Sequence, residues 1–296
     1  MTCNNIRCDF INYWEVVINS NVFSLNAQRN LTKSQGDLST SLERLSSGLR
    51  INSAKDDAAG QFSVETQTAD IRGINQAIRN AGDAISLSQT AEGALGQIGN
   101  NLQRIRELAV QSSSSTIEDR TGLQVEVDQL TQEISRIVAT TSFNGTDLLS
   151  ASGATSALTF QVGQDGVANN QVTVQLTAGT GAISAIAGVT SNLTGTNTVA
   201  ISTAAAASAA LVTLDTAINS VSQKRAVFGA VQNRFEAVIS NLSVSSENLS
   251  AARSRIQDAD FAQETAKLTR SQILQQAGIS ILSQANQQPQ LALSLL

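Results

Sequence analysis

Apolar side chains along this chain fall into stripes with a helical period, and the stripes break off at defined places. Leu38, Leu42, Leu45 and Leu49 lie at i, i+4, i+7 and i+11, one face of a helix. Ile18, Val22 and Leu25 open the same pattern, which predicts a helix over Val16–Leu49. Then Arg50–Gly60 follows, with four charges, small residues and no stripe. The pattern resumes over Phe62–Gln111. There Ile74, Ala81, Ser88, Leu95, Leu102 and Ala109 repeat every seven residues, with Ile71, Ile78 and Ile85 beside them. The hydroxyl run Ser112–Thr116 ends that helix. Thr116 or a neighbour is placed to cap the next one, with Glu118 and Asp119 at its positive end. Leu123, Val127, Leu130, Ile134 and Ile137 form the third stripe.

The period then changes. Phe143–Leu149, FNGTDLL, carries an Asn-Gly turn signal. The stretch from Ala157 to Leu176 alternates around Gly163–Gly166 and predicts a β-hairpin. Ala178–Ala204 is rich in Gly, Ala, Ser and Thr with weak periodicity, as in a surface insertion. From Ala207 the heptad is unbroken: Leu214, Val221, Phe228, Phe235, Leu242, Leu249 and Ile256 follow at intervals of seven. Val231, Val238, Ala252 and Ala259 supply a second seam position, with Ser245 as a polar break. Such a run predicts a coiled-coil helix about 75 Å long. Beyond Phe261 come Leu268, Ile273, Leu274, Ile279, Ile281 and Leu282, and the chain closes on QLALSLL, a sequence that makes sense where another copy buries it. The predicted fold is mainly α: a long antiparallel coiled-coil helical bundle drawn from both termini, with a small β-hairpin region in the middle.

Composition narrows the chemistry. The 296 residues include no His and one Pro, and aromatics are 3% against 41% hydrophobic residues. Burial must come from Leu, Ile, Val and Ala, which suits helix seams. Without His there is no Ser-His-Asp or Cys-His machinery and no H-E-x-x-H zinc site. Cys3 and Cys8 alone cannot complete a tetrahedral zinc site. Asp56–Asp57 fits a solvated connector better than a catalytic pair, and Gly163–Gly166 is too short for a phosphate loop. No cofactor is expected. Net charge is −5 with no Lys/Arg cluster, against a nucleic-acid partner. No 18-residue apolar run is present, so no membrane insertion is expected. Residues 1–15 hold both Cys and the only Met, Trp and Tyr. That break in composition is expected of a foreign segment, either a start set too far upstream or a disordered extension.

Several stretches closely resemble bacterial flagellin: SLERLSSGLRINSAKDDAAG, NNLQRIRELAVQS, FNGTDLL, GAVQNRFEAVISNLS and NLSAARSRIQDADFAQETAKLTRSQILQQAG, with LALSLL at the end. The resemblance covers about Val16–Leu176 and Leu211–Leu296. It implies residues 16–47 and 256–296 as inner-core helices of a filament, 48–60 as a spoke, and 61–177 as outer-core helices with the hairpin. Residues 178–206 become a short variable region and 207–255 a C-terminal outer-core helix. Leu38, Leu42, Leu45 and Leu49 with Leu268, Ile273, Leu274 and Leu282 are then the polymerisation seam. Implied partners are other copies of flagellin, an export chaperone, the flagellar type III export apparatus, and hook-associated and cap proteins. The implied location is a secreted, extracellular filament used for motility, with no enzymatic activity.

On the second helix Arg104 and Leu108 are i, i+4 and share a face, away from Leu102, Ile105 and Ala109. An exposed Leu beside an Arg suits packing between subunits. By the same resemblance these positions, with Glu126, match the patch read by the vertebrate flagellin-sensing Toll-like receptor. Two other functions stay open, a hook–filament junction protein and a cell-surface carbohydrate-binding homologue. Against the latter, Ala157–Ala210 holds no aromatic platform beyond Phe160.

Overall fold

The computed structural model describes residues 20–116, 118–149, 157–174 and 199–294. The first residues, most of the Gly/Ala/Ser/Thr-rich segment and the last two residues lie outside these. Five long helices run in chain order: α1 (Val22–Ser47), α2 (Ala58–Ser113), α3 (Thr121–Thr140), α4 (Ala204–Gln257) and α5 (Phe261–Ser294). Two short antiparallel pairs lie between α3 and α4: β1 (Ser142–Phe143) with β2 (Thr146–Asp147), and β3 (Leu158–Gln161) with β4 (Gln171–Val174). The mainly helical reading and the central hairpin are therefore both observed. The chain divides into two compact units, residues 1–66 with 252–296, and residues 67–251.

Helix ends follow local chemistry. The Asn21 side chain accepts the Ser24 N–H at 3.0 Å and caps α1. Gly48 closes it at φ 73°, its N–H reaching Arg44 O at 2.8 Å. In the connector, Asp56 Oδ2 accepts the Asn52 and Ser53 N–H groups, and those two bonds hold its carboxyl below the ordinary range. Asp57 Oδ1 accepts the N–H groups of Ala59 and Gly60 at 3.1 and 2.9 Å, so it caps α2. The adjacent aspartates are structural: one folds the connector and its neighbour starts the next helix. Arg50 ties the connector to the end of α4, its N–H donating to Gln257 O at 2.6 Å and its guanidinium to Ile256 O. At the start of α3 it is Asp119 that serves, accepting Thr121 N–H at 2.9 Å, and not Thr116, which bonds Ser114.

The unit of residues 67–251 has one continuous core. The heptad of α2 is buried from Ile74 to Ala109, and so is that of α4 from Ala207 to Phe235. Val127 and Ile134 of α3, Leu148 and Leu149, and Val172 and Val174 of β4 join them. Asn144 (φ 49°) and Gly145 (φ 78°) make the mirror-image turn that joins β1 to β2. Phe160 on β3 meets Phe235 on α4 edge to face, ring centres 5.8 Å apart. One seam position of α4 is occupied by Lys224, 4% exposed, whose burial lowers its pKa. A window of α4 reaches a mean hydropathy of 1.3, long and apolar enough by composition to cross a membrane. Its apolar excess includes Ala207, Ala210, Leu214, Ala217 and Val221, all of which lie in this core.

Candidate functional site: an assembly surface

In the other unit α1 and α5 pair antiparallel. Asn21 Nδ2 donates to Ala285 O at 2.7 Å, Ser24 Oγ to Asn286 at 2.8 Å, and Ser41 Oγ to Glu264 Oε1 at 2.8 Å. An isolated bridge joins Leu49 to Asp258. The covered or half-covered positions form a stripe at 27, 31, 34, 38, 41 and 45 on α1, with 24, 40 and 44 beside it, and one at 264, 268, 271, 275, 278, 282 and 285 on α5. Both follow a 4,3 repeat, so the pair is a heptad seam. Half of it is small or polar: Ala27, Ser34 and Ser41 face a stripe containing Ser271, Gly278 and Ala285. A Cβ on Gly278 would sit 3.3 Å from Leu31 Cδ1, so the glycine admits that leucine.

Many large side chains of the pair point elsewhere. Val22, Leu25 and Leu42 on α1, and Phe261, Ile273, Leu274, Ile279 and Ile281 on α5, are each at least half exposed. The sequence-predicted seam therefore splits. Leu38, Leu45, Leu49, Leu268 and Leu282 are partly covered. Leu42 is 50% exposed and Ile273 60%, and Leu274 lies outward with them. The reason is the 4,3 repeat: after Leu38 the next inward position is Ser41, and Leu42 falls one residue past it. These outward residues form an apolar surface that a single copy leaves in water. Isolated exposed leucines are ordinary; runs along both helices of a pair mark an interaction surface.

At the second predicted site Arg104 and Glu126 lie together on the surface and Leu108 does not lie with them. Arg104 Nε donates to Glu126 Oε1 at 2.8 Å and Nη1 to Glu107 Oε2 at 3.1 Å, all three side chains largely in water. Glu126 first, and then Glu107, raise the pKa of that guanidinium. Leu108 is not exposed beside them. It is 1% exposed, inside the core with Ile105 and Ala109. Helix α2 is covered on two sides: Arg104 bonds to α3, and Arg106 bonds to Asp215 of α4 at 2.6 Å. A helix held from two sides buries more than one stripe, so the face assigned to Leu108 from spacing alone is also interior. Among the described residues no cluster of Cys, Asp and Glu is arranged to hold a metal.

Comparison with known proteins agrees with these features. Residues 18–154 match the bacterial flagellin N-terminal helical region and residues 211–296 the bacterial flagellin C-terminal helical region. A flagellin of Halalkalibacterium halodurans is 45% identical over 95% of this chain and 100% of its own length. One from Xenorhabdus nematophila is 46% identical over 95% of this chain and 99% of its own. A solved structure of a putative flagellar hook-associated protein from Vibrio parahaemolyticus overlays with a TM-score of 0.55 at 15% identity, covering 69% of this chain and all of that one; the likeness is one of fold.

Proposed function

Because the chain belongs to the bacterial flagellin family, a family of filament subunits, we propose that copies of it join chiefly by burying the outward faces of α1 and α5 against one another. The single observation that carries this is the apolar surface of that pair. Leu42, Ile273, Leu274, Ile279 and Ile281 stand at least half exposed around a seam of small residues. Burying one such side chain contributes roughly 1.5–3 kcal/mol, and the gain recurs in every subunit. Residues 16–47 and 256–296 are then the inner core, 48–60 the spoke, and 61–177 with 207–255 the outer core, with 178–206 variable between them. The filament is extracellular and serves motility. Its subunits reach it through the flagellar type III export apparatus, escorted by a chaperone on the apolar C-terminal segment, and assemble between hook-associated and cap proteins. The test is electron microscopy of filaments sheared from cells whose only copy of this protein carries Leu42→Glu. Missing filaments, with subunit still exported, support the reading; normal filaments overturn it.

A second reading concerns a host. The exposed Arg104–Glu126 pair supports recognition by the vertebrate flagellin-sensing Toll-like receptor, with Leu108 acting from beneath by holding α2 in place. The likeness to a hook-associated protein is one of fold and favours no change of role.

A further inference from the structure

The seam between α1 and α5 is nearly periodic. On α1, Leu31, Leu38 and Leu45 alternate with small residues, and on α5 Leu268, Gln275 and Leu282 alternate with Ser271, Gly278 and Ala285. A slip of seven residues sets small near small again and changes the larger layers only where the half-covered Gln275 replaces a leucine, so apolar packing alone discriminates poorly between registers. In coiled coils a single buried polar residue commonly fixes register. The backbone bridge at Leu49 and Asp258 holds the connector end, and the bonds of Asn21 and Ser24 to Ala285 and Asn286 hold the exposed far end.

One layer breaks the repeat with a buried charge. Glu264 is 5% exposed and is the one ionisable side chain at the seam positions. Its Oε1 accepts Ser41 Oγ at 2.8 Å, and its Oε2 accepts Lys267 Nζ at 3.2 Å. Arg44 on α1 adds a positive charge from across the pair, and its Nε is buried without a hydrogen-bond partner. A buried carboxylate is tolerated only where donors and cations meet it, which makes its site specific to one register.

We propose that Glu264 is a positioning residue for assembly: its carboxylate, held by Ser41, Lys267 and Arg44, fixes α5 against α1 in the register that presents the outward apolar side chains to the next copy. The proposal rests on the filament reading and deepens it. It also makes assembly acid-sensitive at a named group. Burial raises the pKa of Glu264; hydrogen bonds from Ser41 and Lys267 and the charges of Lys267 and Arg44 outweigh that and leave it below its ordinary 4.5. From the connector, Asp56 faces the same Arg44. A carboxyl whose folded-state pKa is depressed contributes fully above its unfolded value and progressively less as pH falls through the folded one. The contribution is therefore complete at neutral pH and is lost below about 4.5.

The experiment measures the critical concentration of the full chain elongating on sheared filament seeds, from pH 7 down to pH 3. Wild-type protein should polymerise at pH 7, with a critical concentration that climbs as the pH drops below 4.5. Glu264→Gln keeps the shape and removes the charge. It should raise the critical concentration at pH 7 by about tenfold or more and flatten the acid limb. Ser41→Ala should give a smaller rise and keep the limb. Circular dichroism melts of each monomer check that the bundle of residues 67–251 still folds. Glu264→Gln with the wild-type critical concentration overturns the proposal, and so does a raised value with an unchanged acid limb. Wild-type chain that never elongates would overturn the filament reading as well, which separates the two failures.

Discussion

In residues 67–251 the heptad positions of α2 and α4 carry Leu, Ile, Val and Phe interspersed with Ala, and those side chains are covered by the same chain. In the unit containing α1 and α5 half of the seam positions are small or polar, and many of the large apolar residues lie outside the seam. Both units use the same period and the same residue types. They differ in where the bulk sits within each heptad. Small residues lie inside both; where nearly all Leu, Ile and Phe also lie inside, the structure stands alone, and where many of them lie outside it is completed by its neighbours. A heptad count cannot tell the two apart, because it registers how often apolar residues recur and not which of two adjacent positions faces the partner.

The change that separates the units furthest is Leu42→Glu. In water the new carboxylate is harmless, since Leu42 is half exposed in a single copy. Buried unpaired in a contact between copies, it costs on the order of several kcal/mol in every subunit. Polymerisation followed by sedimentation should be abolished, and the thermal transition of the monomer should stay within a few degrees of wild type. A mutant that sediments normally would mean that the outward face of α1 is not buried in the filament.

Phe235→Ala is the converse. Phe235 is fully covered and stacks edge to face on Phe160. Truncating a buried Phe costs about 3–5 kcal/mol. The monomer's denaturant midpoint should fall accordingly, with loss of assembly only as a consequence of unfolding. A midpoint unchanged in Phe235→Ala would show that the bundle does not depend on this contact.

What could be read from sequence follows from this contrast. The long helices, the connector, the hairpin and the Asn-Gly turn were all legible, because period and turn chemistry are local properties. Leu42 was placed with Leu38 and Leu45 because i+4 is as helical as i+3; only the partner helix decides which of Ser41 and Leu42 turns inward. Glu264 and Lys224 are not legible from apolar periodicity, which passes over charges at seam positions. Glu264 needed Ser41, 223 residues away, to make sense. Spacing puts Leu108 on the surface only if α2 buries one stripe, whereas α3 and α4 cover it from two sides. Asp57 could have been found: an Asp just ahead of Ala-Ala-Gly is a helix-start signal.

Asp57→Ala probes the boundary between connector and helix at a lower cost. It removes the acceptor for two free N–H groups at the start of α2, an effect of about 1 kcal/mol. Hydrogen exchange should quicken at Ala59 and Gly60, with protection around Leu95 and Leu102 unchanged. Equal acceleration at Leu95 would mean that the cap supports the bundle as well as its own first turn.

The smallest structural effect is expected at Arg104. Its bonds to Glu126 and Glu107 run over an exposed surface, where water and salt screen the pairing and long side chains lose freedom to hold it. Arg104→Ala should therefore leave the melting curve of the monomer superimposable on wild type, even at low salt. Leu108→Ala, by contrast, opens a cavity in a core position and should destabilise the monomer by about 2–5 kcal/mol. The two substitutions thus separate roles that a double variant would merge. If a vertebrate Toll-like receptor reads this face, Arg104→Ala monomer should lose most of its signalling in receptor-bearing cells at unchanged stability. The Leu108→Ala monomer should lose signal only in step with its folded fraction. Full signalling by Arg104→Ala would remove the charged pair from the recognition surface and leave it as a solvated contact between two helices of the bundle.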